Sequence, residues 1–246
     1  MNNMKKALLF LLLVCSLCAC HRPLRVVESN SEILMIDSTL DAIQDTAYLS
    51  YITPIKADLE HALNIPIGYA PEALTVHQPE CSMLNWASDA LFAMAQQCCP
   101  QPVDMAVVNI GGMRTDWAAG DITRRHIFEL MPFDNELVVL TMTGEEILRL
   151  CDVFVQLGGQ GVAGLRLKAR NGKRLSATIG GKDIVPSAYY TVATSDYLSQ
   201  GNDGMTPLKN HEALWRSEQK IRDLYMQYVE QVKTVQAQVD GRMDIR

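Results

Sequence analysis

Hydrophobic positions recur at helical spacing in several stretches of the chain and cluster into short extended runs between them. Residues 39–63 read as helical, with Pro54 expected either to start a second half or to kink the helix. Ile65-Pro66-Ile67-Gly68-Tyr69 reads as a short extended segment. Met83, Trp86, Ala87, Ala90, Leu91, Met94 and Ala95 share one helical face, Asn85 and Asp89 fall on another, and Pro100 and Pro102 end the helix. Residues 105–109 form a β-like run that leads into Gly111-Gly112, and residues 136–141 predict a second strand. Thr143-Gly144-Glu145-Glu146 is a capping box for a helix that buries Ile147, Leu148, Cys151 and Phe154. Residues 162–194 then read as strands punctuated by Asn171-Gly172 and Gly180-Gly181, both hairpin signals. A last helix is expected over residues 217–229. Helices and hairpins interleave without a clean βαβ alternation, so the expected class is α+β, with mixed sheets and flanking helices.

The first residues follow a different rule. Lys5-Lys6 precedes the apolar run 7–20, which at 14 residues is shorter than the roughly 20 a spanning helix needs. Leu17-Cys18-Ala19-Cys20 matches a bacterial lipobox, which predicts a lipoprotein signal peptide over 1–19 and acylation at Cys20. An ordinary signal peptide that merely contains cysteine is the alternative. Residues 20–38 would serve as a tether and 39–246 as the folded domain. The expected location is the bacterial cell envelope, with Cys20 holding the chain to a membrane through its lipid. Cys81, Cys98, Cys99 and Cys151 would remain after processing. Their spacing matches no zinc site, and adjacent Cys98-Cys99 argues for small buried hydrophobes over a dense disulfide framework.

Composition narrows the function further. The chain has 246 residues, 48% hydrophobic and 20% charged, which excludes intrinsic disorder. A net charge of −6 excludes a basic binder of nucleic acid polymers, and removing Lys5 and Lys6 makes the chain more acidic still. A phosphate-bearing ligand would therefore need locally placed arginine or backbone N–H donors.

Three loops pair glycine-rich backbone with polar or aromatic residues: Asn109-Ile110-Gly111-Gly112-Met113-Arg114, Pro132-Phe133-Asp134-Asn135, and the run from Tyr197 through Asp203-Gly204. Each alone is weak, because paired glycines more often serve a turn and a lone Phe more often fills a core. Together, with the Glu80–Ala90 helix opening, Ala118–Thr123, Thr143-Gly144 and Tyr190–Thr194, they resemble the C-terminal domain of the 5'-nucleotidase/UDP-sugar hydrolase family over about residues 65–208.

The resemblance implies a nucleoside pocket in which Phe133 and Tyr197 sandwich the base. Asn109 and Asn135 match positions that bond the base or orient the neighbouring loop. Asp203 matches the acceptor of the ribose hydroxyls, and Arg114 matches a ligand-binding arginine able to reach ribose or phosphate. Gly159, with Gly158, falls near the loop where backbone approaches the ligand. Asn85 and Asp89 read as structural residues that bond backbone around the helix start.

This chain departs from the family pattern in places. His77 and Pro79 stand where an arginine is common, and Asp134 replaces a glycine at a position where Asp's tolerance of left-handed backbone would count. Asn202 and Met205 replace a glycine and an aromatic.

Full-length members also carry a metallophosphatase domain with a two-metal site. None of His21, His61, His77, His126 or His211 has the matching context, so no catalytic residue, metal site or cofactor is expected in this chain. The implied function is the substrate-recognition half of a 5'-nucleotidase-type phosphomonoester hydrolase, with divalent metals on a separately encoded metallophosphatase partner. A non-catalytic nucleoside-scavenging lipoprotein and an autonomous phosphatase with an unrecognised site are the alternatives.

Overall fold

The computed structural model describes Ala7, residues 25–42 and residues 45–246. The expected signal peptide and the acylation site Cys20 therefore lie outside the described residues, Ala7 apart. The chain divides into two units, Met1–Tyr51 and Ile52–Arg246. In the first, residues 25–36 carry no regular secondary structure and Ser38–Ala42 forms a 3-10 turn. The helix α1 (Thr46–Leu63) contains Pro54 in its interior and buries no residue. With none of its residues buried, water can reach the carbonyl that Pro54 leaves without a donor, and the helix need not break there. Among the described residues no helix is long and apolar enough to cross a membrane.

The second unit is built on a mixed five-stranded sheet. Its strands are β2 (Met105–Val108), β4 (Glu136–Thr143), β5 (Gly161–Ala163), β9 (Tyr189–Ser195) and β10 (Ala213–Lys220), in the order β10-β4-β9-β2-β5. Only β2 and β9 run parallel; the other neighbours are antiparallel. Successive residues of these strands serve opposite faces, as the period of two requires. Leu137 and Val139 of β4, with Ala106 and Val108 of β2, enter one core. Val138, Leu140 and Met142, with Met105 and Val107, enter the other.

The first core is covered by α2 (Ser82–Cys98) and α6 (Ile221–Val232), with Trp86 packed between Trp117 and Tyr225 at centroid distances of 4.8 and 5.3 Å. A small hairpin-like pair, β1 (Pro66–Ala70) with β3 (Gly120–Thr123), and the short helix α3 (Arg124–Leu130) complete that side. The second core lies under α4 (Gly144–Leu157) and a four-stranded sheet of β6 (Leu165–Arg170), β7 (Lys173–Ile179), β8 (Lys182–Asp183) and β11 (Met243–Ile245). The fold is thus α+β with mixed sheets, as the sequence pattern implies.

Several local expectations change. Residues 213–220 are strand because Trp215 pairs with Val139 and Arg216 with Val138 on the neighbouring β4, so the last helix starts at Ile221. Asn85 and Asp89 hold the C-terminal segment and not the start of their own helix. Asn85 Nδ2 donates to the Gln238 carbonyl and to the buried Glu80 carboxylate, each at 2.8 Å, and Asp89 pairs with Arg242 at 2.6 Å. Thr143 caps α4 through Glu146 N–H at 3.3 Å, but the Glu146 carboxylate turns to Arg149 and Asn210 and leaves the capping box half formed. The four described cysteines are free thiols, three of them buried.

Candidate functional site

The strand order delivers five loops to one sheet edge. Asn109 follows β2, and Tyr197 follows the parallel β9 in the short helix α5 (Asp196–Ser199). Phe133 and Asn135 precede β4, whose Leu137 pairs with Ser195. Gly159 and Gln160 precede β5, and Ile221 follows β10, whose Lys220 pairs with Glu136. Residues far apart in sequence therefore meet at the carboxyl ends of the parallel pair, where open α/β sheets place ligands.

Four of the five loops, all but the Gly159–Gln160 loop, contribute to the lining of a cavity of about 360 Å³, within the range of small-ligand sites. Asn109, Arg114, Phe133, Asn135, Tyr197 and Asp203 all line it. Its floor is apolar: Leu91, Met113, Met131, Ile221 and Tyr225. Phe133 and Tyr197 are each 41% exposed, large rings left open at the mouth instead of buried in the core.

Asp203 organises the polar wall. It stands in left-handed backbone (φ 53, ψ 30), and its carboxylate accepts from Asn109 Nδ2 at 2.5 Å and from the Tyr197 hydroxyl at 2.8 Å. A carboxylate offers about four acceptor positions, so both oxygens keep capacity for a further donor. Donation to Asp203 is the main cause that pushes the Tyr197 phenol above its ordinary value. The bond is therefore present below the usual tyrosine range near pH ~10 and is lost only as pH rises through the raised value. Gly112 makes room for Asn109, since a Cβ there would stand 2.8 Å from Asn109 Oδ1. Ile110 N–H is held by the buried Gln160 at 2.8 Å, a support that Gln160's sequence context does not signal.

Arg114 is exposed, and its guanidinium donates to the Gly111 carbonyl at 3.3 Å. Among the described residues it has no carboxylate partner, and it lines the cavity. The Asn135 carbonyl accepts from Ile221 N–H at 2.9 Å, while its side-chain amide has no partner among the described residues. Asp196, immediately before Tyr197, was not singled out by the sequence pattern, yet it bonds backbone on both aromatic loops.

Gly159 is the expected site residue that the fold does not bring to the cavity lining. It sits at φ +114 against Pro79, whose carbonyl would lie 2.2 Å from an added Cβ, and Gln78 Nε2 donates to its carbonyl at 3.1 Å. Its glycine serves this close backbone packing. The departures from the family pattern are absorbed locally. Asp134 is not in left-handed backbone; its carboxylate pairs with Lys220 and Arg222, which hold its pKa below the ordinary value. Asn202 donates to the Tyr197 carbonyl at 2.8 Å, and Met205 fills the second core. Among the described residues no group of three or more His, Cys, Asp or Glu is placed to hold a metal ion.

The fold is a mixed α+β domain with a ligand-sized cavity at the ends of its parallel strands. The 5'-nucleotidase C-terminal domain family matches residues 66–210, and the chain belongs to that family. It is 27% identical over 190 residues to the 5'-nucleotidase of Vibrio cholerae, an alignment covering 75% of this chain and 34% of that protein. The trifunctional nucleotide phosphoesterase of Bacillus subtilis is 27% identical over 72% of this chain and 13% of its own length. The solved 5'-nucleotidase precursor of Thermus thermophilus superimposes with a TM-score of 0.71 at 25% identity, covering 83% of this chain and 43% of that one. The Haemophilus influenzae NAD nucleotidase shares the fold at 17% identity, with a TM-score of 0.66. The chain spans about a third of the length of the Vibrio relative it matches.

Tyr197→Phe keeps the ring and removes its hydroxyl. If the ring stacks a base, as the family resemblance implies, the loss of nucleoside affinity should be smaller than that of removing a stacking face, about 1–3 kcal/mol. A calorimetric titration giving a loss as large as that of removing a ring would show that the hydroxyl, and not the ring face, carries Tyr197's role.

Proposed function

We infer that this chain is the nucleotide-recognition domain of a 5'-nucleotidase-type phosphomonoester hydrolase, with the metal-dependent catalytic unit on a separate polypeptide. The observation that carries the reading is the convergence of two open aromatic rings, an acceptor carboxylate and an unpaired arginine on one cavity. Phe133 and Tyr197 stack the base, an interaction every base offers and worth about 1–3 kcal/mol per base. Asp203 accepts from the ribose hydroxyls, and Asn135 turns its free amide to the base edge. Arg114 supplies the cation for phosphate, a role its planar fork suits.

The lipobox ending in Cys20 supports anchoring at the bacterial cell envelope. Membership in the 5'-nucleotidase C-terminal domain family supports the nucleotide-recognition role, and the metallophosphatase chain is the partner that role calls for. Phosphate release from a nucleoside monophosphate should then require both this chain and a metallophosphatase chain, and should stop on chelation. Hydrolysis by this chain alone would overturn the division of labour.

Arg114→Ala distinguishes the two ends of the ligand. The expected result is about a tenfold loss for a nucleoside monophosphate, or about 1.4 kcal/mol, with little change for the nucleoside. Equal losses in parallel titrations would place Arg114 on ribose or base.

A further inference from the structure

Phe133 works as a stacking face only if its loop holds the ring in place, because the ring is open to solvent and the core does not grip it. Polar anchors do this. Ile221 N–H bonds the Asn135 carbonyl. Asp196 Oδ1 accepts from Glu136 N–H at 3.1 Å and from Tyr197 N–H at 2.8 Å, so one carboxylate oxygen links the two aromatic loops.

The remaining anchor is Arg222, in the first turn of α6 and beyond the residues that match the family. Its Nη2 donates to Asp134 Oδ1 at 2.6 Å and its Nη1 to the Phe133 carbonyl at 3.4 Å. Its guanidinium carbon lies 4.4 Å from the centroid of Phe128, in α3 just upstream of the same loop. The side chain is only 11% exposed, so it is fixed by these contacts and does not sample solvent freely. Lys220 Nζ adds a second cation to Asp134 at 3.0 Å.

We propose that Arg222 is a positioning residue for the aromatic clamp: it pins the Phe133–Asp134 backbone against α3, so the ring is set for stacking before the ligand arrives. This rests on the reading of Phe133 as a base-stacking residue. A preset ring spares the ligand the cost of ordering the loop. Lysine cannot replace arginine here, since only a planar fork can stack on Phe128 while donating to two acceptors.

The test is adenosine titration by calorimetry on the full chain, with Arg222→Lys and the solvent-exposed Asp134→Asn, each also combined with Phe133→Ala. Alongside it, hydrogen exchange is measured at residues 133–136 in the free proteins. Each single variant should weaken adenosine by about 3- to 10-fold and speed exchange in the loop. Once the Phe133 ring is gone, neither should cost more than about 1.5-fold, because the arginine acts through that ring. Losses as large in the Phe133→Ala background, or unchanged affinity and exchange, would overturn the proposal. Full rescue by lysine would overturn it too, by reducing the role to charge. A wild-type chain that binds no adenosine overturns the nucleoside reading itself and this inference with it, which sets that failure apart from the others.

Discussion

Replacing Phe133 with alanine is expected to weaken adenosine binding by about 1–3 kcal/mol, the measured range for losing one base-stacking face. The reasoning begins with exposure. An aromatic ring 41% exposed at the mouth of a cavity contributes little to the core, so its removal should leave the unfolding midpoint nearly unchanged. In the proposed clamp its contribution is instead realised when a flat base stacks on its face. The loss should fall similarly on purine and pyrimidine nucleosides, because stacking does not read the base edge. Calorimetric titration of wild type and variant, with thermal unfolding as a control, checks this. Superimposable isotherms would sink the assignment of the base to this clamp.

Asp203→Asn is expected to cost about 1.5–3 kcal/mol for ribonucleosides, the range for a hydrogen bond to a charged group. Asparagine is the informative substitute because it tolerates the left-handed backbone at φ 53, so the loop need not rearrange. What changes is the acceptor set. Two oxygens now serving Asn109 and Tyr197 become one oxygen and one donor amide, so those two residues and the ribose hydroxyls compete for a single acceptor. A 2',3'-dideoxynucleoside, which lacks the hydroxyls, should lose much less. Equal losses for the two ligands would remove Asp203 from the ribose and leave it a structural link between loops.

The elements most legible in the sequence are those whose hydrophobic period is satisfied within the element itself. Met83, Trp86, Ala87, Ala90, Leu91, Met94 and Ala95 announce α2, and all are buried. Asn171-Gly172 and Gly180-Gly181 announce the hairpins, and all four residues have positive φ. Residues whose role depends on a distant partner were not legible in the same way. Asn85 reads as a residue bonding backbone around the start of its own helix, but its buried amide is satisfied by the carboxylate of Glu80 and the carbonyl of the distant Gln238. Residues 217–220 read as helix until β4 is placed beside them.

The site divides along the same line. Asn109, Arg114, Phe133, Asn135, Tyr197 and Asp203 sit in loop motifs that name them from the sequence, whereas the floor of Leu91, Met113, Met131, Ile221 and Tyr225 is not signalled there, and Gly159, also named, lies outside the lining. Those that hold the loops, Asp196, Gln160 and Arg222, act on backbone groups contributed by other loops. Local sequence carries no trace of that.

Nucleoside recognition by this chain itself is read by a calorimetric titration of adenosine into the purified full chain, without any catalytic partner or metal. Saturable one-to-one binding is the result this account predicts, since every recognition group it names belongs to this chain. An absence of saturable binding at millimolar nucleoside would contradict it.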